Sequence, residues 1–363
     1  MSDRRFWTPQ LEADVLAIVV GLAAADLAFC VLVWLYGESP LAMTRELFVG
    51  TWGTAYGAGQ VLFKATPLFF TGLAVHVALR AGLFNVGVEG QLAVASLAVG
   101  ALGARLPVHV SAFVAWPVLF VVASGSGALW SLLPAALRSR FGTHEVITTI
   151  LMNRLAGVAV NVALGLGLAE AGSVRTRDVV AGARLPRLSA WFPSLRGSAV
   201  SVAAPIAVVT VLLVLALLPR TRYGREAVLV AANPVACEAE RIPVGRRLLE
   251  SLVLSGAIAG LASMGTVLGY KGYYEQGLGA GAGFTGIAVA MLGRGRMLGM
   301  LVAALLFGTL AQGGLVLNAH VPMEVMEVLQ AVVLVAVALG DGAVRSRVME
   351  TLRSAASRVE AKA

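Results

Sequence analysis

The residues of this chain that are best suited to chemistry lie in one short segment between two apolar runs, Gly82 to Gln91. The segment reads Gly-Leu-Phe-Asn-Val-Gly-Val-Glu-Gly-Gln, so it sets Asn85, Glu89 and Gln91 among small glycines. Asn85 could accept the first free amide hydrogens of a following helix, and Glu89 would then lie in the first turn, where the helix dipole favours a carboxylate. Polar groups at membrane depth are also costly enough to indicate use by a passing solute. The segment therefore predicts either a helix cap or a polar vestibule.

Other chemistries lack the residues that they need. An ATP-binding phosphate loop places a lysine after a glycine, in the pattern G-x-x-x-x-G-K-[ST], and no lysine of this chain follows a glycine. The lysines are Lys64, Lys271 and Lys362. His144-Glu145 is followed by Thr148 where a zinc protease needs a second histidine. Cys30 lies in an apolar run and Cys237 in a basic loop, so these two cysteines do not indicate a disulfide or a metal cluster. We therefore expect no catalytic residues, no ATPase site, no metal and no cofactor on this chain.

The composition places the chain in a bilayer. Hydrophobic residues make up 58% and charged residues 13% of the sequence, and the mean hydropathy is +0.83. Apolar runs of about 20 residues recur along the chain, and each is long enough to cross the hydrocarbon core as a helix. They do not alternate as the strands of a membrane barrel do. The net charge of +8 comes from arginines in loops, where positive charge marks cytoplasmic faces, so it indicates topology rather than nucleic-acid binding.

One transmembrane domain over residues 15–340 is predicted from these runs. The first run is too long for a signal-peptide core and lacks a small-residue cleavage site, so it should stay as a helix. Helices are expected near 15–36, 52–79, 87–104, 110–135, 146–168, 200–218, 250–269, 283–293, 298–317 and 324–340. The second span contains Lys64 and Pro67 and the eighth is short and opens at Gly281, so both are predicted to be discontinuous or re-entrant. Lys64 is interpreted equally well as structural or as lining the cavity of the 82–91 segment.

The arginines also predict sidedness. An even number of spans that starts inside places the N-terminus, 1–14, and the basic tail, 341–363, in the cytoplasm. The loop 219–250 then lies inside as well. The loop 169–199 lies outside although it carries arginines, and Pro186, Trp191 and Pro193 indicate that it forms a folded external flap.

The segment Gly82 to Gln91 resembles the G-L-F-N-I-G-x-E-G-Q signature of permease subunits from ATP-binding-cassette (ABC) importers of the branched-chain amino acid and simple sugar superfamily. Three later blocks resemble the nucleoside-type branch in the same order: Phe141 to Asn153, Gly283 to Gly293 and Ala304 to Gly308. The resemblance covers about Ala58 to Leu339. It implies an all-α polytopic membrane protein, a type II importer-like bundle of about ten transmembrane helices with discontinuous segments.

Two functional regions follow from these patterns. The predicted translocation pathway comprises Lys64, Asn85, Glu89, Gln91 and Asn153. The loop 219–250 is similar to the family's coupling region, which docks on the ATPase, whereas its composition alone indicates an ordinary cytoplasmic loop. Its predicted contact residues are Arg225, Asn233, Pro234, Ala236, Cys237 and Ile242. The chain departs from the family pattern at Ala232, Arg241, Arg154 and Arg296, which bears on the fine contacts and not on the architecture.

The resulting hypothesis is a permease subunit that forms the path for a nucleoside or a related sugar-like solute, with a simple sugar and then a branched-chain amino acid as the next alternatives. The resemblance implies a second permease, identical or homologous, two ATPase subunits that bind ATP and Mg²⁺, and an external solute-binding protein, in a bacterial or archaeal cell membrane. The rival hypotheses are a membrane enzyme and a stand-alone ion-coupled transporter or channel. Asp26, Lys64 and Arg154 would form the charge relay of that transporter.

Overall fold

The computed structural model describes Ala23, residues 26–333 and Val335. The predicted spans 15–36 and 324–340 therefore lie partly, and the predicted termini 1–14 and 341–363 wholly, outside the described residues. Within the described part the chain is helical, and its β-structure is limited to isolated bridges. The all-α class is thus confirmed.

The helices follow one another along the chain, and the longest connection between them contains the segment 169–199. They are α1 Asp26–Leu35, α2 Pro40–Thr51, α3 Ala55–Leu79, α4 Val88–Gly103, α5 Ala112–Phe141, α6 Glu145–Ala163, α7 Ala203–Leu217, α8 Arg222–Ala232, α9 Pro234–Ala239, α10 Val244–Ser263, α11 Ala282–Gly293, α12 Met297–Leu317 and α13 over 323–333. Helix α6 continues through a π-helical turn to Leu168, and α10 continues in the same way through Met264–Lys271.

Membrane-spanning length and composition agree with the predicted polytopic bundle. Six of the described helices, with the π-helical extensions included, are long and apolar enough to cross a bilayer. The pair α1 and α2 forms a seventh candidate, bent by 116°, and α4 and α11 are shorter apolar helices. The helix α2 was not predicted, because Arg45 and Glu46 interrupt its apolar character.

The described residues form two compact units. The first takes the chain up to Gly50 and from Leu310 onward, and the second is Thr51–Thr309. In the first unit, Gly313 packs closely against Leu47, and the ring of His320 meets the carboxylate of Glu38 at 3.2 Å. The second unit contains α3 to α11, with all the residues of the predicted translocation pathway and of the predicted coupling loop.

Helices α3 and α10 form the centre of the second unit. In an apolar stretch of 18 residues, 78% of the residues are buried in α3 and 83% in α10, compared with 22% in each of α5, α6 and α7. The outer three helices expose apolar side chains, as expected of surfaces that face lipid. The prediction that α3 is broken at Pro67 is wrong: α3 is a single helix from Ala55 to Leu79. A proline inside the bundle is tolerated because its neighbours satisfy the freed backbone groups.

Small residues bring α5 and α10 into backbone contact. A side chain at Gly127 of α5 would overlap the carbonyl oxygen of Gly256 in α10, and one at Gly260 would overlap the carbonyl oxygen of Ala123. Glycines at such positions let two membrane helices approach closely, so van der Waals contact holds them together.

The bundle of the second unit has two different ends. At one end, α8 packs on the bundle, with Ala227 buried against Ala78 of α3, Ala135 of α5 and Leu252 of α10, and α9 follows it. At the other end, the predicted flap 169–199 is folded onto the segment after α10, where the amide of Val179 donates to the carbonyl of Gly272 at 2.7 Å. The predicted loop 219–250 is shorter than expected, because α10 begins at Val244.

Candidate functional site

The polar segment 82–91 begins at the end of the bundle that carries α8. Gly82 has a φ of 72°, and a side chain there would meet Ala231 of α8 at 3.3 Å. Both the backbone conformation and the lack of space therefore favour glycine at this turn. Leu83 follows it and is fully buried beside Ala227 and Leu252. The chain thus enters the bundle in direct contact with α8.

Asn85 and Gln91 form a closed hydrogen-bonded pair inside the bundle, with exposures of 0% and 1%. Asn85 Nδ2 donates to Gln91 Oε1 at 3.0 Å and to Ser255 Oγ at 2.8 Å. Asn85 Oδ1 accepts from the amide of Gly87 at 2.9 Å and from Gln91 Nε2 at 3.3 Å. Ser255 in turn donates to the carbonyl of Ala74 at 2.6 Å. The amide that Asn85 caps precedes α4. Asn85 also links α4 to α10 through Gln91 and Ser255, and Ser255 links α10 to α3. A pathway role of Asn85 and Gln91 stays a prediction.

Asn153 connects α6 to the same segment. Its Oδ1 accepts from the amide of Gly90 at 2.9 Å, and its Nδ2 donates to the carbonyl of Val86 at 2.8 Å. A side chain at Gly90 would meet Asn153 Oδ1 at 2.9 Å, so a glycine is needed for this approach. These two bonds fix the start of α4 against α6, and a pathway role of Asn153 also stays a prediction.

Glu89 joins the starts of the two short helices α4 and α11. It lies in the first turn of α4, as expected, and its two carboxylate oxygens accept from the amides of Gly281 at 2.7 Å and Gly283 at 2.8 Å. The free amides of a helix N-terminus attract a carboxylate, and those of α11 become available because Gly281, with a φ of 86°, turns the chain into the helix. Ser255, the partner of Asn85, lies roughly three turns into α10. The start of α4 therefore lies within the bundle, and so does the start of α11, which Glu89 contacts.

A small open pocket lies beside Glu89 on the side of the flap. Its lining residues are Glu89, Leu92, Ala93, Tyr274, Gly277, Leu278, Gly279 and Ala280. Tyr274 is 2% exposed, and its amide donates to Thr176 Oγ1 of the flap at 3.0 Å. Burial raises the pKa of Tyr274 to about 12, so its phenol is neutral at physiological pH. The pocket therefore offers a solute one carboxylate, one aromatic side chain and a loop of small residues.

Lys64 does not belong to this cluster. It is half-buried in α3, with Nζ 6.0 Å from the ring centroid of Phe63. It lies about two turns before Thr71, the residue of α3 whose hydroxyl donates to the carbonyl of Ala282 at 2.9 Å. The hydrogen bonds of the described residues do not connect Lys64 with Glu89, and its pathway role stays a prediction.

Five of the six predicted coupling residues lie on or next to α9. Asn233 Oδ1 accepts from the amide of Ala236 at 3.0 Å and so caps the helix, and Pro234 occupies the first turn, where its missing N–H costs nothing. Cys237 is buried, and its carbonyl accepts from the amide of Ile242 at 2.8 Å. The side chain of Val235 is 75% exposed, so α9 presents an apolar surface away from the bundle.

The helix α8 is anchored to α10 by one ion pair. The carboxylate of Glu226 accepts from Arg247 Nε of α10 at 2.6 Å, and also from Arg222 Nε of its own helix at 2.6 Å. These bonds lower the pKa of Glu226. Arg225, the sixth predicted coupling residue, points away from this pair and donates to the carbonyl of Arg220 at 2.5 Å. A force on α9 would thus pass through α8 to the start of α10.

Similarity to known proteins decides the family. A family model described as "Branched-chain amino acid transport system / permease component" matches residues 57–338. The chain belongs to this family. The permease is 31% identical to the guanosine ABC transporter permease protein NupP of Bacillus subtilis, with 90% of this chain and 93% of that protein covered. It is 31% identical to the glucose ABC transporter permease protein TsgB13 of Haloferax volcanii, over 88% and 85%, and 28% identical to the nucleoside ABC transporter permease protein NupB of Lactococcus lactis, over 92% of both. No solved structure matches the permease.

A second group of relatives is more distant. The same three organisms each have another ABC transporter permease that is 24–27% identical and matches only 68–69% of this permease. For each of the three organisms, one relative is thus similar over about nine tenths of this permease and the other over about two thirds.

Sequence reasoning missed the partners that organise the site of the permease. Ser255 was not among the predicted residues, although a serine on the buried face of a central helix needs a polar partner. The amides of Gly281 and Gly283 carry no side-chain signal, and they are 192 and 194 residues from Glu89 in the sequence. The glycines that open α11 were the available hint, because they frame a helix N-terminus.

Arg154 faces away from the site. It is exposed on the outer face of α6, between the exposed side chains of Leu151 and Leu155, whereas the adjacent Asn153 points to α4. Asp26 is also exposed, in α1 of the first unit. Neither charge belongs to the hydrogen-bonded cluster around Glu89.

Proposed function

We propose that this chain forms the translocation path of an ABC importer for a nucleoside or a related sugar-like solute. The observation that carries the proposal is the meeting of two short helices at Glu89 inside the bundle, beside a pocket that opens toward the flap. Helices that start at membrane depth leave polar backbone groups there, which is tolerated where they line a solute path. The guanosine, nucleoside and glucose permeases among the relatives support the choice of solute.

The contacts supply a route from an ATPase to the path. In this proposal, ATPase subunits that bind ATP and Mg²⁺ dock on the exposed face of α9, which carries Val235. Movement of α9 shifts α8, whose Ala231 touches Gly82 at the entry of the polar segment. The segment leads to Glu89 and hence to the start of α11. The bundle then alternates between outward-open and inward-open states. ATP shifts this equilibrium because the ATPase subunits of the assembled transporter bind it with different affinity in the two states.

Sidedness and partners belong to the same proposal. The end with α8 and α9 faces the cytoplasm together with both termini, and the flap 169–199 faces outward to receive solute from a binding protein. The chain itself carries no catalytic site and no cofactor. A second permease completes the path, and the weaker similarity to a second permease type in three organisms favours a homologous partner over an identical one.

Reconstitution into liposomes tests the proposal. The chain is purified with its candidate permease and ATPase partners, and uptake of a labelled nucleoside is measured with the binding protein outside and ATP or a non-hydrolysable analogue inside. We expect uptake only with hydrolysable ATP and all subunits present. Uptake by this chain alone, driven by an ion gradient, would establish the rival ion-coupled transporter.

Solute class is tested on the binding protein, because it selects the solute before the permease meets it. Its thermal stability is measured with nucleosides, pentoses, hexoses and branched-chain amino acids, since a ligand that binds the folded state raises the melting temperature. Stabilisation by nucleosides supports the proposal. Stabilisation by sugars or amino acids alone replaces the nucleoside with that class.

A further inference from the structure

A second cavity lies on the outer side of the bundle. It shares no lining residue with the pocket beside Glu89. It is a groove of about 390 Å³ between α7 and α10, with Ser124 of α5 at its edge. The lining includes Leu213 and Leu217 of α7 and Ala257 and Leu261 of α10. Its walls are almost entirely apolar, and a solute path for a polar molecule would not be lined in this way.

The groove opens to the surface that faces lipid. The lining residues Leu213 and Leu217 are 52% and 53% exposed, and Ala257 is half-buried. All three helices that form it are candidate membrane spans. A hydrocarbon chain from the surrounding bilayer therefore has direct access to the groove.

One end of the groove is basic. Leu218 and Thr221 complete the lining at the junction of α7 and α8, and Arg220, Arg222 and Arg225 are exposed around this junction. Arg222 pairs with Glu226. The side chains of Arg220 and Arg225 donate to the backbone carbonyls of Ala216, at 2.8 Å, and of Arg220, at 2.5 Å. Among the residues that the structure describes, neither guanidinium has a carboxylate partner.

We propose that this groove binds an anionic phospholipid, with an acyl chain along α7 and α10 and the phosphate group at Arg220 and Arg225. The charges decide in favour of this occupant. A partner helix or a neutral lipid would fill the apolar part equally well, but either would leave two guanidinium groups at the membrane surface without a counter-charge. Basic residues at the end of an intramembrane groove provide that counter-charge for a lipid phosphate.

The position of the site gives the lipid a structural effect. It bridges α10 and the α7–α8 junction, and it adds to the attachment that α8 makes to α10 through the Glu226–Arg247 pair and the packing of Ala227 on Leu252. Bound lipid thus strengthens the attachment of α8. This inference depends only on the membrane location of the bundle, so it stands or falls separately from the transported solute.

The test measures lipid retention by the full-length chain. The protein is purified from membranes, exchanged into nanodiscs of phosphatidylcholine with increasing phosphatidylglycerol, and analysed by native mass spectrometry and by its melting temperature. We expect selective retention of phosphatidylglycerol and a higher melting temperature. Each arginine near the surface contributes about fivefold in affinity, so the double variant R220Q/R225Q should lose roughly 25-fold of the preference.

Matched variants identify the site. R140Q removes an exposed arginine from the last turn of α5, outside the groove, and should leave the preference unchanged. A257W should displace the bound lipid, while V209W, at an exposed position of α7 outside the lining, should not. Because the arginine variants change only exposed side chains, they keep the test valid if A257W fails to fold. Equal retention of the two lipids by the unmodified chain, or an equal loss of preference in R140Q, overturns the proposal. A cross-link from cysteine at position 213 to a partner permease overturns it as well.

Discussion

Replacing Asn85 with alanine is expected to weaken the assembly of the bundle. The truncation removes both hydrogen-bond partners of the Gln91 amide and the acceptor of the Gly87 amide hydrogen, at positions where Asn85 and Gln91 are 0% and 1% exposed. A buried polar group left without a partner costs about 1–3 kcal/mol, so two such groups cost about 2–6 kcal/mol. Ser255 keeps its bond to Ala74 and adds little. At about 2 °C per kcal/mol for a chain of this size, the melting temperature should fall by about 4–12 °C.

The assay compares melting temperature in detergent with uptake per assembled transporter. N161A is the matched control, because Asn161 is an exposed asparagine on α6 of the same bundle. The double variant N85A/Q91L removes both polar partners, so its effect should be smaller than the sum of the two single effects. An N85A variant that melts within about 1 °C of the unmodified chain, yet transports poorly, would refute the structural reasoning and assign Asn85 to the solute path.

Three further variants probe the contacts around the site. The variant E89Q offers one carbonyl acceptor to two amides, so it loses a charge-assisted hydrogen bond of about 1.5–3 kcal/mol. Uptake per assembled transporter should therefore fall at least about tenfold. Unchanged uptake contradicts the role given to Glu89. G260V forces α10 away from α5 and should abolish a monodisperse chromatographic peak, whereas G125V, where a side chain meets nothing within 4 Å, should preserve it. The Arg222 and Arg247 bonds lower the pKa of Glu226, so the stability that they contribute is present above the ordinary carboxyl value of 4.5 and is lost as the pH falls below it. A melting-temperature series from neutral to acidic pH should therefore fall more steeply for the unmodified chain than for E226Q, and parallel curves would exclude this pair as the cause.

The sequence predicted those parts of the fold that depend on local composition. Long apolar runs identified α3, α5, α6, α7, α10 and α12, because hydrophobicity alone selects a membrane helix. Helices that contain charged residues do not meet this criterion. The helix α2 was therefore not predicted, and α8 and α9 were predicted to be part of one loop. The interruption at Pro67 was misjudged because the packing of α3 in the centre of the bundle outweighs the local cost of a proline.

The candidate site was predictable in its residues but not in its connections. The polar residues of the 82–91 segment could be found from their cost in a membrane, and Glu89 does lie in a first helical turn. Its partners are backbone amides nearly two hundred residues away, which no side-chain pattern can reveal. The pairing of Asn85 with Gln91 and Ser255 depended in the same way on which helix faces would meet.

The contact between α5 and α10 has a mechanical consequence. Where the backbones of two helices touch at Gly127, Gly256 and Gly260, neither helix can slide or tilt against the other without steric overlap. These two helices must therefore travel as one stiff lever during any transport cycle. The loop that precedes α11 has the opposite character, because Gly277, Gly279 and Gly281 all have positive φ values and carry no side chains to interlock. The molecule thus combines a rigid pair of helices, α5 and α10, with a flexible loop before α11. The carboxylate of Glu89 holds the end of that loop in its present position through its bonds to the amides of Gly281 and Gly283.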